Sequence, residues 1–329
     1  MQNKSMIAVL GVVALAVSAC GSGSSGAGGG NGGGSSSGKK HAITLIAGTT
    51  NDNFYVTMNC GAKAEAAKQG VTYKFTGPSS FDASQQTPIV NSVTADHPDA
   101  VLIAPTDSTA LIAPMKQMKA QGIKVVEVDT TVSDNSIAVS QISSDNELGG
   151  KDAADALAKQ IGGKGTVMVV NVNPGISTTD ARDKGFKEEM KAKYPHVKVL
   201  QTQYDGDKPS KAASIITSTY AAHPDLNGVF AANVLTAEGV ATGIKEAHAT
   251  GKIKNISFDA EPSDISALKK GVIDALVAQE PALIGKDGID QALNSLNGKP
   301  VTKKIATKLV TITKGNLSSM KKYIYKSHC

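Results

Sequence analysis

Ala95-Asp96-His97-Pro98-Asp99-Ala100-Val101-Leu102-Ile103-Ala104 returns, with His97 matched by His223, as Ala221-Ala222-His223-Pro224-Asp225-Leu226-Asn227-Gly228-Val229-Phe230-Ala231, an offset of 126 residues. A second pair follows in the same order. Gly122-Ile123-Lys124-Val125-Val126-Glu127-Val128-Asp129 is echoed by Gly251-Lys252-Ile253-Lys254-Asn255-Ile256-Ser257-Phe258-Asp259, and the two terminal aspartates lie 130 residues apart. Each copy is a turn, an apolar β-rich run and a polar residue just past its end. Two echoes in one order at nearly one offset imply two similar α/β lobes, each of about 140 residues. His97 and His223 fall in the echoed turns, where a turn or helix-end role is expected.

The same alternation extends outward from these segments. β-rich runs occupy 43–47, 71–75, 100–104, 124–128, 166–171, 197–203, 228–231, 253–258 and 272–278. Between them lie stretches of helical period such as 55–69, 108–121, 145–161, 178–193, 209–222, 234–249 and 282–296. Ser144-x-x-Glu147 reads as a capping box opening the 145–161 helix. Strands alternating with helices at this spacing imply parallel sheets covered on both faces. The expected fold is therefore α/β, with two doubly wound parallel-sheet lobes. In open α/β sheets ligands bind beyond the carboxyl ends of strands. Asp129 and Asp259 would sit at equivalent strand ends, and Thr106-Asp107 and Asn233 at another equivalent pair, on facing walls of a cleft.

The chain has 329 residues, 40% of them hydrophobic and 19% charged, with 33 Gly, 3 Cys, no Trp and a net charge of +5. These values exclude a disordered chain, a coiled coil and a disulfide scaffold. The basic excess is spread out, and its clusters are pairs such as Lys303-Lys304, so nucleic acid is not an expected partner. The motifs G-x-S-x-G, H-E-x-x-H, C-x-x-C and the phosphate-binding loop are missing, and the histidines are scattered. Neither catalytic residues nor a metal or cofactor are expected.

Lys4 precedes an apolar run from Met6 to Val17, which is too short to span a bilayer of roughly 30 Å. A charged start, an apolar middle and the small residues Ser18-Ala19 describe a secretory signal over 1–19. Val17-Ser18-Ala19-Cys20 resembles a bacterial lipobox, which implies lipidation of Cys20. Residues 21–38 contain only Gly, Ser, Ala and one Asn, a flexible tether of roughly 20–25 Å r.m.s. span. Gly21-x-Gly23-x-x-Gly26 matches a dinucleotide fingerprint in form, but with neither a strand before it nor a helix after it the match carries nothing. With Cys20 acylated, Cys60 and Cys329 remain, and outside the cytoplasm two thiols tend to pair. The expectation is a Cys60–Cys329 disulfide pinning the C-terminal tail to the first helix.

From His41 to about Asn316 the chain resembles the type I periplasmic sugar-binding proteins, nearest to the ribose-binding branch of ABC-importer receptors. The matching segments are Ala104-Pro105-Thr106-Asp107-Ser108, Ser144-Asp145-Asn146-Glu147-Leu148-Gly149-Gly150-Lys151, Ala222-His223-Pro224-Asp225 and Phe258-Asp259-Ala260-Glu261-Pro262. The resemblance implies a three-strand hinge crossed near Ser143-Ser144, Gln279-Glu280 and Lys308–Val310. The implied layout is lobe 1 over 41–143 and 280–308, lobe 2 over 144–279 and 309–318, and a tail over 319–329, behind a lipidated tether over 20–40. It implies ligand contacts at Asp52, Phe54 and Tyr55 after the first strand, Asp129 after the fourth, and Arg182 before Gly185-Phe186. Tyr204, Asn233, Asp259 and Gln279 complete the set. Such residues suit a polyol: aromatic planes cover C–H faces, while carboxylates, amides and a guanidinium bind the hydroxyl rim. Two departures from the ribose branch stand out, Thr130 where an Arg follows the fourth-strand aspartate and Asp52 where Asn is common. They make the pocket richer in acceptors, which favours a neutral monosaccharide or sugar alcohol. The implied function is an extracytoplasmic substrate-binding lipoprotein of an ABC importer, monomeric, with a membrane permease as partner. The alternative is a receptor presenting its sugar to a sensor kinase or chemoreceptor. A sugar-responsive repressor of this fold would need a helix-turn-helix where the signal and tether lie.

Overall fold

A computed structural model describes residues 40–329; the expected signal over 1–19, the expected lipidation at Cys20 and the Gly/Ser tract lie outside the described residues. In chain order the elements begin β1 (Ala42–Ile46), α1 (Asn53–Lys68), β2 (Thr72–Thr76), α2 (Ala83–Asp96), β3 (Ala100–Ile103), α3 (Ile112–Ala120), β4 (Lys124–Val128) and β5 (Ser140–Ser144). They continue with α4 (Asn146–Ile161), β6 (Gly165–Asn171), α5 (Ser177–Lys193), β7 (Val197–Val199), β8 (Gln203–Tyr204), α6 (Pro209–Ala222), β9 (Leu226–Ala231) and α7 (Val234–Glu246). The last are β10 (Lys254–Phe258), α8 (Pro262–Lys270), β11 (Ala275–Ala278), α9 (Pro281–Leu296), β12 (Lys304–Thr307) and β13 (Val310–Ile312).

Two sheets result. The first runs β12-β5-β4-β3-β1-β2 and the second β13-β11-β10-β9-β6-β7, with β8 paired to β6 beyond β7. Read from β2 and from β7, the two orders are the same, which is the structural meaning of the internal echo. All pairings are parallel except β11–β13, an antiparallel edge. The chain changes sheet three times: after β5, after β11 and between β12 and β13. The central strands are buried on both faces, so they read as apolar runs rather than alternating patterns: Ala100–Ile103 and Ala275–Ala278 are buried at every position.

Sequence and structure differ at several elements. The cap of α4 is Asp145, whose side chain accepts from the Leu148 N–H at 3.1 Å, and not Ser144. Ser144 is occupied elsewhere: its hydroxyl donates to Gln279 Oε1 at 2.7 Å and meets Thr307 Oγ1 at 3.3 Å. β5 and β12 were not distinguished because their polar residues break the apolar run. The C-caps of α2 and α6 are His97 and His223, so the echoed histidines do end helices.

Cys60 on α1 and Cys329 form a disulfide with a Cα–Cα distance of 5.3 Å.

Candidate functional site

The sheets present their carboxyl ends to each other across a cleft, and the walls touch at its rim. Ser108 N–H donates to Gly175 C=O at 3.2 Å, and Thr131 N–H to Ser177 Oγ at 2.9 Å. On the other side the Asn53 main-chain and side-chain amides each donate to the Glu261 carboxylate at 3.1 Å. Between these contacts lies about 490 Å³ free of protein atoms, part of it open to solvent.

Eight of the nine residues named from the resemblance line this space: Asp52, Phe54, Tyr55, Asp129, Arg182, Asn233, Asp259 and Gln279. They come from both sheets, so the cavity exists only when the lobes are apposed. Asp129 and Asp259 occupy matching places after β4 and β10. Both have left-handed backbone, with φ of 65° and 78°, and both N–H groups donate at 2.8 Å to the neighbouring strand, to Ile142 and Val277 C=O. That pairing with the next strand holds the non-glycine αL turn against its steric cost. Neither aspartate caps a helix, whereas Asp52 caps α1 and Asn233 caps α7.

Each wall aspartate also carries a phenol. Tyr55 OH donates to Asp129 Oδ2 at 2.6 Å, and Tyr325 OH donates to Asp259 Oδ1 at 2.8 Å. Gln279 Nε2 donates to the same Oδ1 at 2.6 Å while its Oε1 holds Ser144, joining the wall to the strands that cross between lobes. Gly48 leaves room for the first phenol, since a Cβ there would lie 2.4 Å from both Tyr55 OH and the Phe81 ring.

Arg182 is the chain's single arginine and is 3% exposed. Its guanidinium lies 3.6 Å over the Phe258 ring. Nε donates to Asn146 Oδ1 at 2.8 Å and Nη1 to Ala232 C=O at 2.7 Å. These bonds use two of its five N–H groups and aim the fork into the cavity.

Tyr204 does not line the cavity. It is held at a strand edge, where β8 pairs it with Asn171. The chain then turns through Asp207, at φ 60°, which reaches the cavity instead and accepts from Asn233 Nδ2 at 2.8 Å. Thr106 and Asp107 do not reach it either. Thr106 N–H and Oγ1 both donate to Gln86 Oε1, and Asp107 Oδ1 caps Thr109 and Ala110. Phe81, Asp207, Asn146 and Tyr325 were missed. Only Phe81 left a signal, an aromatic set among the turn residues Gly77-Pro78-Ser79-Ser80.

Burial raises Asp52, Asp129 and Asp207 in this cavity. Asp129 is pushed up to about 6, mainly by desolvation, against the opposing pull of the Tyr55 hydrogen bond and Arg182. Asp52 is raised well above its ordinary range by burial and then by Asp259 and Glu261; Asp207 is raised by burial. A carboxyl whose folded value exceeds its unfolded one stabilises the fold below the unfolded value, and this is lost as pH rises through the folded value. With its lobes apposed and no sugar bound, the protein is therefore expected to gain stability as pH falls from above 6 towards 4, with Asp129 contributing about 3 kcal/mol at most. Thermal unfolding at pH 7.5 and pH 5 should give the higher midpoint at pH 5, and Asp129→Asn should shrink the difference to the part that Asp52 and Asp207 carry.

Among the described residues, no group of histidine, cysteine and carboxylate side chains is arranged to hold a metal ion. No described helix is long and apolar enough to cross a membrane.

A family model described as a periplasmic binding protein domain matches residues 43–300. The ribose import binding protein of Bacillus subtilis (strain 168) is 32% identical over 273 residues, covering 82% of this chain and 87% of its own. An ABC transporter solute-binding protein from Agrobacterium vitis, solved bound with α-D-tagatopyranose, superposes with a TM-score of 0.85 at 43% identity, covering 88% of this chain and 100% of that one. A carbohydrate transporter solute-binding protein from Agrobacterium radiobacter, solved with D-arabinose, gives a TM-score of 0.80 at 31% identity, covering 86% and 97%. With its paired lobes and shared cavity, the chain belongs to the family of type I periplasmic sugar-binding proteins.

Proposed function

We propose that this protein is the extracytoplasmic receptor of an ABC importer, lipid-anchored at Cys20, and that its lobes close on one neutral monosaccharide or sugar alcohol. The observation that carries this reading is the convergence of Asp129, Arg182, Asn233 and Asp259, from both sheets, on one cavity flanked by Phe54 and Tyr55. Hydroxyls that donate to the aspartates and accept from Arg182 bridge the two walls, so ligand favours the closed form by differential affinity. The closed, monomeric form is what the permease recognises. The relatives' ligands named above are all aldoses or ketoses, which supports the class.

Neutrality follows from the charge balance. One guanidinium faces Asp52, Asp129, Asp207 and Asp259, and Thr130 turns away to donate to Pro105 C=O at 2.7 Å. An anionic ligand would meet more acceptors than donors. The test is a thermal-shift screen of D-ribose, D-allose, D-tagatose, D-arabinose, D-fucose and sugar alcohols against acidic and zwitterionic controls. A ligand at 100 times its Kd should add about 2.7 kcal/mol. Tight binding confined to an acidic or zwitterionic compound overturns the reading. Mutation of Cys20 to Ala should release the protein from the membrane fraction.

A further inference from the structure

We propose that the C-terminal tail is a disulfide-anchored strap joining the lobes, and that Tyr325 within it is a positioning residue that sets Asp259 for the ligand. The proposal rests on the cleft being the sugar site. It begins from an asymmetry between two otherwise matching walls. Asp129 receives its phenol from Tyr55, on the first helix of its own lobe. The corresponding helix of the second lobe, α5, which follows that lobe's first strand β6, opens Ser177-Thr178-Thr179 and has no tyrosine there. The tail supplies one instead.

After β13 the chain makes two 3-10 turns, Leu317–Ser319 and Lys321–Tyr323, and returns to the cleft. Tyr325 is 3% exposed. Its N–H donates to Ala260 C=O at 3.0 Å, one residue beyond Asp259. Its hydroxyl donates to Asp259 Oδ1 at 2.8 Å and accepts from the Gln279 N–H at 3.1 Å. Its ring meets Phe54, a cavity-lining residue of the other lobe, at 5.9 Å between centroids. The very next residue crosses over: Lys326 N–H donates to Thr57 Oγ1 on α1 at 2.7 Å. Three residues later Cys329 is bonded to Cys60 on the same helix. Within five residues the tail thus grips the second lobe beside its ligand-side acid and is locked covalently to the first. It is a fourth connection, added to the three strands that cross.

The consequence for binding is local. Both side-chain donors on Asp259, Tyr325 and Gln279, use Oδ1. Among the described residues that leaves Oδ2 to take a sugar hydroxyl, in an orientation that the two donors fix.

The test uses the oxidised protein lacking only its signal and tether, titrated calorimetrically with D-ribose, D-allose, D-tagatose, D-arabinose and D-fucose. Tyr325→Phe should raise Kd about tenfold for every sugar the unmodified protein binds. It also leaves the buried Gln279 N–H without its acceptor and lowers the unfolding midpoint, so binding is read well below that midpoint. In an Asp259→Asn background the same substitution should cost less than half as much, because its target is gone. Cys329→Ser, which keeps the tyrosine, should weaken binding about threefold. Without sugar, it should also speed hydrogen exchange at the Tyr325 and Lys326 amides at least tenfold. Wild-type affinity in Tyr325→Phe, or full additivity with Asp259→Asn, overturns the positioning role. Unchanged exchange in Cys329→Ser overturns the strap. If the unmodified protein binds neither the five sugars nor the sugar alcohols of the screen, the sugar reading and the positioning role fall together, while exchange still decides the strap.

Discussion

Arg182→Ala is expected to raise the Kd of the tightest sugar about 30- to 900-fold, or about 2–4 kcal/mol. Three losses combine. The ligand loses charge-assisted bonds from the free N–H groups of the guanidinium, each worth about 1.5–3 kcal/mol. Asn146 Oδ1 and Ala232 C=O lose their donor in a buried setting. Asp129 and Asp259 then face each other across the cavity without the cation between them. The same argument makes Arg182→Lys a poor substitute. A lysine has no planar fork to lie 3.6 Å over Phe258 while reaching two fixed acceptors. Calorimetric titration of both variants below their unfolding midpoints checks this. An Arg182→Ala protein that binds within threefold of wild type would remove Arg182 from the site.

What could be read from the chain alone depended on whether a residue's role was set by its own segment. Asp129 and Asp259 end strands whose apolar runs and preceding turns repeat, so their equivalence was visible without coordinates. The same periodicity exposed most strands and the long Ala- and Lys-rich helices. α2 is different: it contains Pro88 and the β-branched Thr87, Ile89, Val90, Val93 and Thr94, which obscure its helical period. It is fixed by the Asp82 cap and by Gln86, whose Nε2 donates to Ala47 and Ala104 C=O at the ends of two strands. Those are tertiary bonds, and a local pattern cannot report them. Tyr325 is the extreme case. It belongs to no regular element, its target Asp259 is 66 residues away, and its place is set by a disulfide closing 269 residues. Asp207 was hidden for a related reason: which residue of an irregular loop turns inward depends on two consecutive positive φ angles, at Gly206 and Asp207.

The seating of Arg182 also explains a close packing of helices behind it. Gly150 on α4 faces the backbone of α5: a Cβ there would lie 2.0 Å from the Arg182 carbonyl oxygen and 2.8 Å from the Phe186 nitrogen. Gly185 on α5 returns the relation, 2.0 Å from Glu147 C=O. The atoms in the way are main chain, which cannot rotate aside, so an added methyl must push the helices apart. Gly150→Ala is expected to cost about 3 kcal/mol of stability, the upper end of ordinary overpacking. It should cost affinity as well, because Asn146 rides on α4 and Arg182 on α5. Displacing one against the other stretches the 2.8 Å bond between them and tips the guanidinium off its aim, for about a tenfold rise in Kd. Gly243→Ala separates the two effects. Its Cβ would lie 2.6 Å from Ala213 C=O, forcing α7 away from α6 near the end remote from the Asn233 cap. That variant should lose stability but keep its Kd within about threefold. Unfolding midpoints together with calorimetric titration distinguish them. Equal losses of affinity in both variants would mean that the α4–α5 contact holds up the lobe in general and does not aim Arg182 in particular.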